Sequence, residues 1–171
     1  MSWFVVDVES DGPVPPLFSM VCFGVVKVDE QMKTTFYGKT KPITGKWDPQ
    51  ALSISGISRE EHLKFDEPVD VMAQFEEWIK ANSNGRPVFV SDNNGYDWQF
   101  INYYFHAYLG RNPFGFSSRR IGDMWCGMQK DSFSSWKHLR KTKHTHNPVD
   151  DSMGNVEAIL AMKKMGLKIP Q

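Results

Sequence analysis

Apolar and polar positions along this chain follow two periods, one of strands and one of helices. Residues 3–8 form an almost unbroken apolar run, which predicts a strand buried on both faces. A second strand is predicted over residues 18–29. A third is predicted over residues 33–41, where Thr34, Phe36 and Gly38 alternate with more polar neighbours. Short connections join the three, so an antiparallel meander is expected. The stretch 47–62 is punctuated by Pro and Ser and carries one short helix around residues 49–54. Val71, Met72, Phe75, Trp78 and Ile79 then recur at helical steps, which predicts a helix over residues 68–82. A short apolar strand follows at 86–91. An aromatic helix is predicted over 95–109, with Trp98, Ile101, Tyr104, Phe105 and Tyr108 on one stripe and Gly110 as its stop. A last short strand runs into Gly122. The final helix starts after Pro148 and ends at Gly166, with Met153, Val156, Ile159 and Leu160 facing inward.

This order predicts an α/β fold, a mixed sheet of about five strands flanked by helices, in a single domain over residues 1–171. In such sheets the site lies beyond the carboxyl ends of the strands. Asp7 and Glu9 close the first strand, Asp97 follows the fourth, and Asp151 opens the last helix. One cleft can hold all four.

The 20 basic and 20 acidic side chains cancel, which excludes a basic coat as the main means of holding nucleic acid. The balance is local. Residues 117–146 carry seven Lys/Arg against two Asp, so the remainder is acidic by the same surplus. An acidic site beside a basic strip suits a polyanion held at its phosphates, and a solvated basic loop fits equally well. Cys22 lies in an apolar stretch and reads as a small buried hydrophobe. Cys126, His138, His144 and His146 fit no familiar zinc spacing. No apolar run approaches the length of a membrane span, so no membrane partner and a reducing, cytoplasmic setting are expected.

Residues i and i+2 of a strand point to the same face, so Asp7 and Glu9 aim together while Val8 turns into the core. Two like charges so close repel unless a cation lies between them. Mg²⁺ or Mn²⁺ would suit, because hard cations take oxygen ligands and accept phosphate oxygens to complete their shell. Two ions about 3.5–4 Å apart could bracket an in-line displacement at phosphorus. His146 could activate a water beside them. Taken singly, Asp97 and Asp151 read as ordinary acids in the first turn of a helix. Such readings do not account for a His and an Asp five apart just before an amphipathic helix.

Asp7-Val-Glu9, Asp97 and His146-x-x-x-x-Asp151 resemble, in order and rough spacing, the DEDDh 3′→5′ exonucleases, a superfamily that includes ribonuclease T, oligoribonuclease and bacterial proofreading exonucleases. Ala51-Leu-Ser-Ile-Ser-Gly-Ile and Asn94-Gly-Tyr-Asp97-Trp-Gln-Phe100 resemble the family's connecting segments. The resemblance implies a ribonuclease H-like fold and two-metal hydrolysis of single-stranded nucleic acid from its 3′ end. It assigns Asp7, Glu9, Asp97 and Asp151 as ligands of two Mg²⁺ (or Mn²⁺) ions and His146 as general base. By the same resemblance Phe18 or Met20 would stack on the terminal base. The chain departs from the pattern at Ser10-Asp11-Gly12 and at Ser91-Asp92-Asn93, where Asp92 is an extra acid.

The expected function is therefore a metal-dependent 3′→5′ exonuclease, with RNA slightly ahead of DNA, and with Arg140 and Lys141 of the basic strip following the strand's phosphates. The alternatives are a catalytically inactive nucleic-acid-binding module on the same fold, and an endonuclease. The aromatic helix either joins the core or offers a homodimer surface.

Overall fold

The computed structural model describes residues 1–169. Its sheet has five strands: β1 (Ser2–Ser10), β2 (Met20–Lys27), β3 (Thr35–Lys39), β4 (Pro87–Ser91) and β5 (Ser118–Arg120), in the spatial order β3-β2-β1-β4-β5. β1, β2 and β3 pair antiparallel as the expected meander, and β4 and β5 add in parallel beside β1. The helices are α1 (Pro49–Ile54), α2 (Arg59–His62), α3 (Pro68–Asn82), α4 (Asn94–Leu109), α5 (Ile121–Gln129) and α6 (Pro148–Lys164), with a 3₁₀ turn at Lys137–Leu139.

β1 is central and has helices over both faces, which is why it reads as a continuous apolar run. Phe4, Val6 and Val8 pack with α3 and α4 in one core cluster, where Phe75 meets Phe105 and Phe114. Trp3 and Val5 face the other way and pack with α5 and α6 through Ile121, Trp125, Val156 and Ile159. On α4, Phe100, Ile101, Tyr104 and Phe105 are fully buried within the chain, while Trp98 and Tyr108 lie half-buried at its margin. The aromatic helix is thus mostly core.

Three expectations need correction. Phe18 lies in the β1–β2 loop, because β2 begins at Met20. The short strand before Gly122 ends at Arg120; Ile121–Gln129 is a helix that the two glycines in Ile-Gly-Asp-Met-Trp-Cys-Gly-Met-Gln obscure, and burial of Ile121 and Trp125 outweighs their low propensity. Helix α2 was not expected either, although Ser58 and Glu61 form a capping box at its start.

Candidate active site

β1 runs past β4: its last parallel partner is Val5, opposite Val90, so the segment from Asp7 to Ser10 projects beyond the carboxyl end of β4. The alternation Trp3, Val5, Asp7, Glu9 shares the face that α6 covers, and the apolar side of the strand turns acidic where it leaves the core. Asp97, in the first turn of α4, reaches back across this end. Its Oδ1 accepts a hydrogen bond from the Val8 backbone N–H at 3.2 Å, and its Oδ2 is buried with no partner.

Asp151 arrives from the opposite layer and is almost fully buried. The five-residue step to His146 has a local cause. His146 takes a left-handed backbone (φ 61°), Asn147 caps α6, and Pro148 occupies its first turn. The chain thereby curls around the carboxylate: Thr145 N–H donates to Asp151 Oδ1 at 3.2 Å and His146 N–H to Oδ2 at 3.0 Å. Arg140 Nη2 donates to Oδ1 at 3.0 Å, and His144 Nδ1 lies 2.7 Å from the same oxygen.

Asp7, Glu9 and Asp151 each offer a ligand oxygen within 4.8 Å of one another. His146 stands at the rim, half-exposed, with Nδ1 3.8 Å from Glu9 Oε1. The electrostatics show what the cluster lacks. Burial, then the nearby Asp97, Glu9 and Asp151, pushes the Asp7 carboxyl well above the usual carboxylate range. Glu9 is pushed up to about 7, chiefly by burial and then by Asp151. Asp97 is pushed up to about 8, chiefly by burial, against the nearby Ser91 hydroxyl and the Val8 N–H, which favour its anion. Negative charge in a buried pocket is under-compensated. An all-oxygen donor set with one orphaned buried oxygen fits hard divalent cations such as Mg²⁺ or Mn²⁺.

The other candidates stand outside the carboxylate cluster. Phe18 packs over Gly12 with Lys46 Nζ 4.8 Å from its ring centre, in a loop tied down by buried Asp11, which pairs with Arg59 at 2.9 Å. Met20 is core. Lys141 is exposed, and its backbone N–H is held by Glu157 at 2.7 Å. Asp92 lies 3.9 Å from Lys137 Nζ, and its carbonyl accepts from Arg120 Nε at 3.2 Å. Cys126 and His138 do not join a metal cluster: the thiol donates to Ser134 O, and the imidazole packs on Trp125. Sequence reasoning missed His144 and the partner of Arg140. The only prior signal was their place in the basic segment just before His146.

No family model matches the chain. It is 38% identical over 157 residues to the 3′-5′ DNA exonuclease Cap18 of Escherichia coli, an alignment covering 90% of this chain and 82% of that protein. This chain belongs to the DEDDh 3′→5′ exonucleases. Its fold is that of the nuclease domain of 3′hExo, a DEDDh family member bound to rAMP, at TM-score 0.78 and 19% identity over 99% of this chain and 96% of that one. Cell-death related nuclease 4 (TM-score 0.78, 16% identity, 96% and 64% covered) shares it too. So does E. coli Exonuclease I in complex with a dA16 oligonucleotide (TM-score 0.70, 17% identity, 96% and 40% covered). The protein is a 3′→5′ exonuclease acting on nucleic acid, on the ribonuclease H-like fold. Among the described residues no helix is long and apolar enough to cross a membrane.

Proposed function

We propose that the protein removes nucleotides from the 3′ end of single-stranded DNA by metal-dependent hydrolysis. The observation that carries this reading is the meeting of Asp7, Glu9, Asp97 and Asp151 from three separate elements, under-neutralised, with His146 at their rim. The sequence ranks RNA slightly ahead. The relative at 38% identity is named a DNA exonuclease, and on that ground we place DNA first.

The four carboxylates would hold two Mg²⁺ or Mn²⁺ ions, which when bound supply positive charge to the phosphate oxygens and an acidified water. The chain's own groups do the rest. His146, half-exposed with its ring edge-on to that of His144, takes the proton of the attacking water. Its left-handed backbone fixes where the ring starts, and the N–H of the same residue holds Asp151, so base and ligand are placed by one turn. Phe18 stacks on the terminal base, and Lys141 meets a phosphate. The two free thiols, Cys22 and Cys126, suit a reducing cytoplasm.

Incubation of 5′-labelled DNA and RNA oligonucleotides with Mg²⁺, Mn²⁺ or EDTA tests the reading. Expected is a ladder of 5′-labelled products shortened from the 3′ end, faster on DNA, with none in EDTA. Absence of hydrolysis with every metal would leave only a binding module, and internal products at first contact would indicate an endonuclease.

A further inference from the structure

Two open cavities meet beside the acidic site. The nearer, of about 430 Å³, is lined by Arg140 and His144, both in contact with Asp151, and by residues 141–143. The farther, of about 770 Å³, extends from Arg120 and Asp123 to the segment 132–137. Asp92 and Lys137 line both, so the two form one trough leading away from Asp151. Five Lys or Arg side chains, from Arg120 to Lys143, line it against Asp92 and Asp123. Arg120 neutralises Asp123 at 3.1 Å, whereas Asp92, 3.9 Å from Lys137 Nζ, faces the four cations from Lys137 to Lys143, so the surplus charge lies at the end nearer the acidic site.

At the far end Phe133 is 95% exposed. A braced turn holds it there. Its backbone N–H donates to Asp131 Oδ1 at 3.0 Å, and the next residue, Ser134, accepts from Trp125 Nε1 at 2.9 Å and from Cys126 Sγ at 3.5 Å. An aromatic ring kept in water on a fixed turn, at the end of a basic trough, combines the two devices that hold a single strand without reading its sequence: phosphate charge and base stacking.

We propose that this trough holds the single strand upstream of the 3′ end, with phosphates along the wall from Lys137 to Lys143 and one base stacked on Phe133. The inference rests on the exonuclease reading, since it is cleavage at Asp151 that fixes which way the strand leaves. A protein partner would need more apolar surface than one ring among cations offers.

The test compares wild type, Phe133→Ala and Lys137→Gln on a dinucleotide and on a 12-nucleotide single strand with the same 3′ end. Phe133→Ala should lower kcat/KM on the 12-mer about tenfold and leave the dinucleotide unchanged, with an unaltered melting temperature. Lys137→Gln should weaken 12-mer binding and flatten its salt dependence by about 0.7 in the log–log slope, one phosphate contact. Fluorescence anisotropy of a 5′-fluorescein 12-mer in EDTA reads the trough without catalysis. There Phe133→Ala should weaken binding by a similar factor. If wild type cuts neither substrate, the exonuclease reading fails while the anisotropy still decides the trough. Equal loss on dinucleotide and 12-mer, or no change on the 12-mer and in anisotropy, overturns it.

Discussion

Gly24 of β2 leaves room for the backbone of Pro148: a Cβ at Gly24 would overlap the Pro148 carbonyl carbon. Gly24 is also the register partner of Asp7, and its carbonyl accepts from Ser152 Oγ at 3.0 Å. The first turn of α6 therefore seats directly over the strand pair that bears Asp7, and this closeness brings Asp151 into the site. Gly24→Ala should cost about 1–3 kcal/mol through overpacking. Because it lifts the helix that carries Asp151, it should also lower activity at saturating Mg²⁺. Urea unfolding and initial rates measured together check this; normal activity in a destabilised variant would separate the packing from the site.

A similar vacancy seats Arg140. A Cβ at Gly154 would lie 2.5 Å from Arg140 Nε, so Gly154→Ala should push the guanidinium off Asp151. Partners that orient a ligand are typically worth 10–100-fold in metal affinity. The Mg²⁺ concentration for half-maximal rate should rise by about that factor in Gly154→Ala and in Arg140→Met. Both act through one contact, so the double variant should be no worse than either alone. Additive losses would mean that Arg140 has a second task. Gly127→Ala, where an added Cβ meets nothing within 4 Å, is the control.

Asp7→Ala should abolish hydrolysis while the fold stays intact. Removing one carboxylate from an over-charged cluster relieves repulsion, so in EDTA this variant should melt no lower than wild type. Robust cleavage by Asp7→Ala, or by wild type in EDTA, would rule out catalysis by metal ions.

The raised carboxyls link metal binding to pH. Glu9 and Asp97 hold their protons in the folded, metal-free chain to about pH 7 and 8, whereas unfolded carboxyls lose them near pH 4. The folded state then binds more protons than the unfolded one between those limits, so metal-free stability falls as pH rises through them. Bound Mg²⁺ should cancel this. The rise in melting temperature on adding Mg²⁺ should therefore grow from pH 5 to pH 8, and should shrink in Asp97→Asn. A shift independent of pH would contradict the picture of buried, under-neutralised acids.

His146→Ala should lower kcat by roughly 10²–10⁴-fold, the usual contribution of positioned proton transfer, with little change in KM. Free imidazole should restore part of the rate. Near-normal turnover would remove His146 from the role of base.

Local pattern made much of this chain legible from sequence. The two-sided strand of residues 3–8, the α3 stripe of Val71, Met72, Phe75 and Ile79, and the antiparallel meander all follow from apolar periodicity, which burial enforces residue by residue. Strand alternation aims Asp7 and Glu9 to one face. The parts given to Asp97, His146 and Asp151 came instead from the resemblance of their order and spacing to the family's motifs, since each alone reads as an ordinary residue at a helix start. What tertiary structure alone decided are the contacts between distant segments. Helix α5 forms because Ile121 and Trp125 are buried against α6, a gain that its own glycine-rich sequence does not announce. His144 and Arg140 become partners of Asp151 only once the 137–147 loop folds back over α6. The bare backbones of Gly24 and Gly154 matter because of what packs on them, and a glycine in sequence carries no record of its neighbour. Periodicity reports which side of an element meets the core; it does not report which residue of another element lies there.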